Sequence, residues 1–375
     1  MTHLDMMYLD HNATTPCDER ILEEMRPFHT DVFANSGSIH QFGRQAARAL
    51  QGARDRCAAA LKRDPDEVVF TSGATEGIQL CLESMSADFV QGSTIFSTPF
   101  EHRAVQNCLH RLSHRGIDIR ILDCQDGILN VANVTEVGIY VIQAANSETG
   151  VIQPIERLAE HIHGIGGILI CDAAQGLWKI DSGEYARSPD AVILSAHKAY
   201  GPKGVGALML GREFMSILKR GRLGPAQDQG VREGTVNVAG AVGMAATVEL
   251  ACSEGETWRA CALEARTSFE DRISQEPACE LHFKSHFRLP NTASVRFPGI
   301  DGDLIGLNTE VAVSFGTACS SGAPGPSSAL LAMGLSRTQA LETVRVSFGR
   351  SHSEEDGHHA AVALLETAQI LALNR

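Results

Sequence analysis

Short apolar runs recur along the first two thirds of the chain and alternate with stretches of helical periodicity. The runs read EVVF (67–70), TIFS (94–97), DIRIL (118–122), GIYVIQ (138–143), GILIC (167–171), AVILS (191–195) and GALML (206–210). Segments such as RLAEHIHGI (157–165) lie between them and repeat their apolar residues with the period of a helix. Nearly continuous apolar strands separated by helices predict an α/β fold, in which a mostly parallel sheet is covered by helices on both faces.

The pattern changes towards the carboxyl end. A long helical stretch over 245–273 leads into the strand-like segment LPNTASVRF (289–297). The last segment, which follows Ser353 and opens with acidic residues, is typical of an amphipathic helix with an N-cap. We therefore predict two domains, a large one over 16–255 and a smaller α+β domain formed by 1–15 and 256–375.

The composition, with 43% apolar and 21% charged residues, is that of a globular protein. A net charge of −13 argues against direct nucleic-acid binding, which needs clustered Lys and Arg. No apolar run approaches the roughly 20 residues that cross a bilayer, and the opening MTHLDMMYLD lacks a secretory core. These features predict a cytoplasmic protein that acts on a small molecule and has no membrane partner.

The ten cysteines have irregular spacings, and none forms a CxxC pair. A disulfide framework is therefore not expected in so long a chain. Two tight histidine pairs, at 161 and 163 and at 358 and 359, are more typical of solvated helix faces than of metal ligands. No metal is predicted.

The first candidate for chemistry is VVFTSGATEGIQL (68–80), where a strand ends and a helix begins. The backbone N–H groups of Ala74 and Thr75 would lie at the helix N-terminus, and the Thr75 hydroxyl adds a donor, so the turn can bind an anion. The absence of a following lysine distinguishes it from a nucleotide P-loop and favours a cofactor phosphate. A plain helix cap is the alternative.

Two further candidates follow buried strands. Asp172 comes at the end of GILICD and Gln175 stands one turn later; a carboxylate there needs a cationic partner, or serves as an N-cap. Lys198, in SAHKAYGPKG, follows the next strand, where desolvation would prepare its amine for a Schiff base. A phosphate site, a strand-end aspartate and a strand-end lysine together match pyridoxal 5′-phosphate: the aspartate would keep the pyridine nitrogen protonated, and the lysine would hold the aldehyde.

Ordered motifs from residue 8 to about 350 resemble those of the cysteine desulfurases, fold-type I pyridoxal-phosphate enzymes of the class V aminotransferase group. They read YLDHNATTP (8–16), NSGSIHQFGRQA (35–46), FTSGATEG (70–77), PFEHRAV (99–105), NSETGVIQPI (146–155), DAAQ (172–175), SAHKAYGPKGVGAL (195–208), VREGTVNVAG (231–240), GTACSSG (316–322) and VRVSFGR (344–350). The resemblance implies removal of sulfur from L-cysteine, which leaves L-alanine and an enzyme persulfide.

The resemblance also implies a role for each matching residue. Lys198 would carry the cofactor, Asp172 would meet its pyridine nitrogen, and His102 would stack on its ring and handle protons. Thr75, Ser195 and His197 would hold the phosphate with the Ala74 turn, and Gln175 would bind the phenolic oxygen. Asn35 and Arg345 resemble the pair that binds the substrate carboxylate, a task that suits the fork of an arginine. Thr235 resembles the phosphate ligand from a second subunit, which implies a homodimer with shared sites.

Two sequence differences separate the chain from the usual family pattern. Asn146-Ser147-Glu148 stands where the family has Asn-Asn-Glu, so a hydroxyl of Ser147 takes the place of an amide in a cofactor contact. GPAQDQG (224–230) replaces a glycine triplet followed by Gln-Glu, which puts the shape of that loop in question.

Cys319 lies in SFGTACSSGAPGPSS (314–328), among small and turn-forming residues. This segment resembles the family's long mobile loop, whose cysteine attacks the substrate sulfur and then carries it outward. A buried thiol is the alternative for Cys319, and the other nine cysteines are expected to be packing residues.

Two other classes of function compete with desulfuration. An aminotransferase or another lyase on the same fold has no use for a mobile cysteine, so GTACSSG argues against it. A catalytically silent assembly platform would not need Lys198, Asp172, His102 and Cys319 intact. Selenocysteine remains an alternative substrate, and the protein sulfur acceptor is left open among an iron–sulfur scaffold, a thiolation carrier and DNA-sulfur-modification machinery.

Overall fold

The computed structural model describes residues 6–83, 85, 92–220, 227–315 and 325–373. The seven predicted apolar runs form its larger sheet. They are β2 (Val68–Thr71), β3 (Thr94–Ser97), β4 (Asp118–Ile121), β5 (Ile139–Gln143), β6 (Ile168–Asp172), β7 (Ala191–Ser195) and β8 (Gly206–Leu210). Every strand begins and ends within one residue of its predicted run, so the α/β prediction is confirmed.

The larger sheet has the strand order β2-β8-β7-β6-β5-β3-β4. Strand β8 runs antiparallel to both of its neighbours, and the other neighbouring strands pair in parallel. The carboxyl ends of β5, β6 and β7 therefore meet at one edge, where open α/β sheets place their sites.

Helices cover both faces of this sheet, which explains why its strands are apolar without alternation. Tyr140 and Ile142 of β5 join one core, whereas Ile139 and Val141 join the other. The first core includes α3 (Gln41–Leu61) and α6 (Ile155–Gly164); the second includes α4 (Ala74–Glu83), α5 (Arg103–His114) and α7 (Arg212–Arg220).

A helix of 37 residues, α8 (Val238–Ser274), packs against α3 and against the last helix, α12 (Glu354–Leu373). The Asn237 side chain caps its start by accepting the Gly240 N–H at 2.9 Å. The predicted domain boundary between 255 and 256 falls inside this continuous helix, and the division into two domains stays a prediction.

A smaller antiparallel sheet lies beyond α8 in the chain. Its order is β12-β13-β10-β9, formed by β9 (Glu280–Leu281), β10 (Thr292–Arg296), β12 (Ser314–Phe315) and β13 (Thr343–Ser347). Strand β1 (Met7–Tyr8) pairs in parallel with β11 (Val311–Ala312). The remaining α-helices are α1 (Glu19–Met25), α2 (Pro27–Thr30), α9 (Gly302–Asn308), α10 (Ser328–Ala332) and α11 (Arg337–Leu341).

The start of α12 confirms the predicted cap, because Ser353 Oγ accepts the Asp356 N–H at 3.2 Å. Among the described helices, none combines the length and the apolar character that a membrane crossing requires. His161 and His163 of α6 bind the Val134 carbonyl and the Asp190 carboxylate. Within the described ranges, no three His, Cys, Asp or Glu side chains are grouped as a metal site would require.

Candidate active site

A cavity of about 740 Å³ lies at the carboxyl ends of β5, β6 and β7 and extends to the polar face of the smaller sheet. Ten residues that the sequence singles out line it together. They are Ala74, Thr75, His102, Ser147, Asp172, Gln175, Ser195, His197, Lys198 and Arg345. The fold thus brings residues separated by up to 271 positions in the chain to one site, although their individual roles stay predictions.

One wall of the cavity is the N-terminus of α4. The helix begins at Ala74, directly after β2 and a short turn. The N–H groups of its first turn have no carbonyl partner within the helix, and they carry the positive end of the helix dipole. Ala74 and Thr75 both line the cavity, so this wall suits a phosphate.

Asp172 ends β6 and is buried. Its Oδ1 accepts the Ala174 N–H at 3.0 Å, so Asp172 caps the turn and borders the cavity at the same time. Burial raises the pKa of Asp172, whereas the charges of His102 and Lys198 lower it. A cationic group bound beside this carboxylate would therefore stabilise its ionised form.

His102 opens α5, and its Nδ1 accepts the Ala104 N–H at 3.1 Å. Because Nδ1 is an acceptor in this contact, the neutral ring carries its proton on Nε2. Desolvation by the surrounding protein lowers the pKa of His102; the charge of Asp172 opposes that shift, and the charge of Lys198 adds to it. A largely neutral imidazole can accept or donate a proton near neutral pH.

Lys198 stands in a 3₁₀ turn, Ala196–Lys198, that follows β7. Its Nζ donates to the Asn12 carbonyl oxygen at 2.6 Å, and Gln175 Nε2 donates to the same oxygen at 2.9 Å. The Asn12 side chain continues to the smaller sheet, where Nδ2 donates to Thr292 Oγ1 at 2.8 Å. Asn12 therefore connects Lys198, which follows β7 of the larger sheet, to Thr292 of the smaller sheet.

A second lysine lies behind Gln175. Lys179 is 1% exposed, and its Nζ donates to Asn12 Oδ1 at 2.9 Å and to Gln175 Oε1. Because a lysine offers donors only, it fixes the orientation of both amides. Burial lowers the pKa of Lys179 well below its usual range, and the charges of Lys198 and Arg345 lower it further. Sequence reasoning missed this residue, whose signal is its place four residues after Gln175.

Glu101 is a buried carboxyl group on the cavity wall. Oε1 accepts from Thr98 Oγ1 at 2.6 Å and from the Gln143 N–H at 3.1 Å, whereas Oε2 has no hydrogen-bond partner among the described residues. Burial raises the pKa of Glu101 to about 8, and the charge of Asp172 contributes to the rise. Glu101 therefore favours its neutral form at pH 7.

The cavity wall also contains Ser195 and His197. Ser195 is buried at the end of β7, and His197 Nδ1 hydrogen-bonds Thr14 Oγ1 at 3.1 Å. Burial lowers the pKa of His197 to about 4, and the charges of Lys198 and Lys203 add to the effect. The ring is therefore a neutral hydrogen-bonding group at pH 7.

Arg345, on β13, lies at the opposite side of the cavity and is buried. Its Nη2 meets Asp10 Oδ1 at 2.5 Å, and its Nη1 donates to the Ser147 carbonyl oxygen at 3.2 Å. The same carbonyl accepts from Asn12 Nδ2 at 3.0 Å. Ser147, which replaces the family's asparagine, thus supports Arg345 through its backbone.

Three predicted residues are not part of the described cavity. Asn35 is exposed, and its Oδ1 accepts the Gly37 N–H at 2.8 Å. Thr235 is exposed on the segment before α8. Cys319 lies outside the described residues, as do 224–226 of the loop that departs from the family pattern. The roles of Asn35, Thr235 and Cys319 stay predictions.

The rest of that loop is joined to the large sheet. Asp228 is buried, forms an ion pair with Arg54 of α3, and accepts the Phe70 N–H at 2.8 Å. A buried carboxylate needs such partners because its isolated charge would be costly.

Four of the nine cysteines expected to be packing residues are buried: Cys57, Cys81, Cys108 and Cys171. Burial raises the pKa of Cys57 to about 12 and that of Cys171 far above its usual value. The packing interpretation is wrong for Cys252, which is exposed on α8 because its position falls on the solvent side of the helix.

Comparison with known proteins identifies the class. Residues 7–358 match the family model described as "Aminotransferase class-V", and the chain belongs to this family. Within it, the chain is 35% identical to a cysteine desulfurase IscS of Anaeromyxobacter sp. strain Fw109-5, over 97% of this chain and 93% of the relative. A cysteine desulfurase of Trichormus azollae is also 35% identical, over 94% and 90%.

Solved structures agree with this assignment. A NifS-like protein superposes with a TM-score of 0.86 at 29% identity and covers 98% of this chain and 100% of its own. A structure titled "SspA in complex with cysteine" has a TM-score of 0.77 at 28% identity, with coverages of 92% and 99%. The chain is a cysteine desulfurase, and the predicted family, fold and enzyme class are confirmed.

Proposed function

We propose that this enzyme binds pyridoxal 5′-phosphate in the cavity at the ends of β5, β6 and β7 and transfers the sulfur of L-cysteine to Cys319. One observation carries the proposal: an amine, Lys198, a buried carboxylate, Asp172, and the N-terminus of α4 border the same cavity. Each supplies what one part of that cofactor requires, namely its aldehyde, its pyridine nitrogen and its phosphate.

The residues present fit the cofactor in chemistry as well as in position. Ala74 and Thr75 would hold the phosphate through backbone N–H groups and a hydroxyl, with Ser195 and the neutral His197 beside them. Asp172 would accept the pyridinium N–H, and that contact would offset the cost of burying the carboxylate. Gln175 would bind the phenolic oxygen with its amide N–H₂, whose orientation Lys179 sets.

When bound, the cofactor supplies an aldehyde for amines and an electron sink for charge that develops at the substrate α-carbon. The protein supplies the rest. Lys198 would hold the aldehyde and later exchange a proton near the α-carbon. His102, with its proton on Nε2, would cover the ring and move a second proton. Arg345 would bind the substrate carboxylate as a bidentate partner, with Asn35 as the predicted second ligand.

Cys319 would be the nucleophile. Its thiolate would attack the substrate sulfur, the carbon–sulfur bond would break, and protonation of the carbon would give L-alanine and a Cys319 persulfide. None of the nine cysteines that the structure describes lines the cavity, which supports assigning the role to the tenth. The persulfide would then pass to a protein acceptor, an iron–sulfur scaffold or a thiolation carrier.

We also propose a homodimer, in which Thr235 reaches the phosphate of the other subunit. Its exposure on the segment before α8 leaves its hydroxyl accessible to a partner. The Asn35 segment is exposed as well, so an assembled site could include both residues.

Reductive labelling tests the assignment of the lysine. Borohydride treatment of the yellow holoenzyme should fix the cofactor on the peptide that contains Lys198, and Lys198→Ala should reduce alanine formation to background. Lys284→Ala, at an exposed lysine that does not line the cavity, is the matched control and should retain activity. Label on Lys179 or Lys203 would refute the assignment.

A further inference from the structure

The smaller sheet turns a polar face towards the cavity. Strands β10 and β13 read TASVR and TVRVS, so polar and apolar residues alternate along both. In an antiparallel sheet such alternation usually places the polar face in water. Here Thr292, Ser294, Thr343, Arg345 and Ser347 are buried, and Arg296 at the end of β10 is partly exposed. Ser294, Thr343 and Arg345 of this face line the cavity, so that part of the face borders the site instead of bulk solvent.

A row of three residues crosses that face. Arg345 of β13 lies opposite Ser294 of β10 on one side and opposite Ser314 of β12 on the other. Residues paired in this way have Cβ atoms about 4.5–5.5 Å apart and project to the same side. All three line the cavity, so a serine flanks Arg345 on either side in the sheet.

The Ser294 hydroxyl differs from its neighbours on the same face. Thr292 Oγ1 donates to Asn291 Oδ1 at 3.0 Å, and Ser347 Oγ donates to the Leu9 carbonyl oxygen at 3.3 Å. Ser294 is 1% exposed, and its Oγ has no hydrogen-bond partner among the described residues. A buried hydroxyl without a partner costs free energy. A ligand that provides an acceptor for it would remove that cost and bind more tightly.

We propose that Ser294 is a substrate-binding residue, whose hydroxyl donates a hydrogen bond to the carboxylate of the amino acid held by Arg345. This inference rests on the proposed function, because it takes the amino acid to bind at Arg345. A carboxylate has two oxygens and about four acceptor sites, so it can bind the arginine fork and a serine hydroxyl at once. Ser294 thereby favours substrates with a carboxylate over amines that lack one.

Equilibrium binding to the holoenzyme tests the contact without turnover. L-Alanine carries the carboxylate and ethylamine lacks it; both can be titrated by the change in visible absorbance of the cofactor. Ser294→Ala should weaken L-alanine binding by about tenfold, the loss expected for one hydrogen bond to a charged group. Ethylamine binding should not change, and Ser294→Thr, which keeps the hydroxyl, should restore most of the L-alanine affinity.

Ser97→Ala is a matched control. Ser97 is also a buried strand serine, but its Oγ donates to the Val141 carbonyl oxygen at 3.0 Å and lies outside the cavity. This variant should lower the melting temperature of the apoprotein and leave L-alanine binding unchanged. Ser294→Ala should leave the melting temperature unchanged and weaken L-alanine binding, because it removes a hydroxyl that bonds no described protein group.

Two results would overturn the inference: wild-type L-alanine affinity in Ser294→Ala, or equal losses for L-alanine and ethylamine. Failure of the proposed function looks different. In that case wild-type protein itself would show no cofactor absorbance or no response to L-alanine, and Arg345→Met would bind L-alanine as wild type does.

Discussion

At the scale of single residues, the charge inside the cavity depends on which of its titratable side chains are neutral. Glu101 and Asp172 are two buried carboxyl groups beside one cavity, and they differ in what their oxygens bind. The pKa of Glu101 rises to about 8, so Glu101 remains largely protonated at pH 7. Burial likewise lowers the pKa of His197 to about 4 and the pKa of Lys179 well below its usual range.

The raised pKa of Glu101 predicts a specific dependence of stability on pH. In the unfolded chain Glu101 loses its proton near its usual pKa of 4.5, whereas in the folded protein it keeps it up to about 8. Its contribution to stability is thus complete below 4.5 and is lost as pH rises to about 8, by at most ~1.4 kcal/mol per pH unit. Glu101→Gln, which is always neutral, should melt higher than wild type by an increasing margin between pH 6 and pH 8.

Melting of the apoprotein by circular dichroism measures this margin. Glu264→Gln, at an exposed carboxylate, is the control and should differ from wild type by a constant amount across the same range. A margin for Glu101→Gln that shrinks or stays constant with rising pH would contradict the assignment.

Single residues were predictable where a short motif carries them. Asp172 ends a buried strand, and Lys198 and Thr75 follow buried strands within a few residues, so the sequence alone predicts that they share an edge of the sheet. Asn12 and Ser294 were not predictable, because their importance depends on contacts between distant segments. Asn12 meets Thr292 across 280 positions, and no local pattern indicates such a contact.

At the scale of elements, the strands of the larger sheet follow from burial on both faces, since continuous apolar runs have few other stable conformations. The start of α8 was harder to predict. Val238 to Val248 are all buried, so this part of the helix has no polar side and no amphipathic period. The one local signal is its N-cap, Asn237.

Substitution by alanine should have opposite effects on stability at two helical glycines, one at the α8–α12 interface and one facing open space. A Cβ at Gly357 of α12 would lie 2.0 Å from the Ala265 carbonyl oxygen, whereas a Cβ at Gly52 of α3 would meet nothing within 4 Å. Gly357→Ala should therefore destabilise the protein by about 1–3 kcal/mol through overpacking. Gly52→Ala should stabilise it by about 0.5–1 kcal/mol, because alanine loses less entropy in a helix. Urea unfolding measures both; two changes of the same sign would contradict this account of the interface.

At the scale of the whole molecule, the cavity lies between two sheets that face it with different chemistry. The larger sheet presents the amine, the carboxylate and the helix N-terminus suited to a cofactor, and the smaller sheet presents Arg345 with its flanking serines. Asn12 joins the two sides through Lys198 and Thr292. This division explains how one site can hold a cofactor and an amino acid in fixed relation.

We expect L-cysteine to give its sulfur to Cys319 while its carbon skeleton leaves as L-alanine. The most direct measurement incubates holoenzyme with L-cysteine without reductant, alkylates the thiols, and maps the added sulfur by peptide mass spectrometry together with the alanine released. We expect one persulfide on the peptide that contains Cys319 for each L-alanine formed, and loss of both in Cys319→Ser, which should keep its cofactor absorbance. Undiminished L-alanine and sulfide production by Cys319→Ser would contradict it.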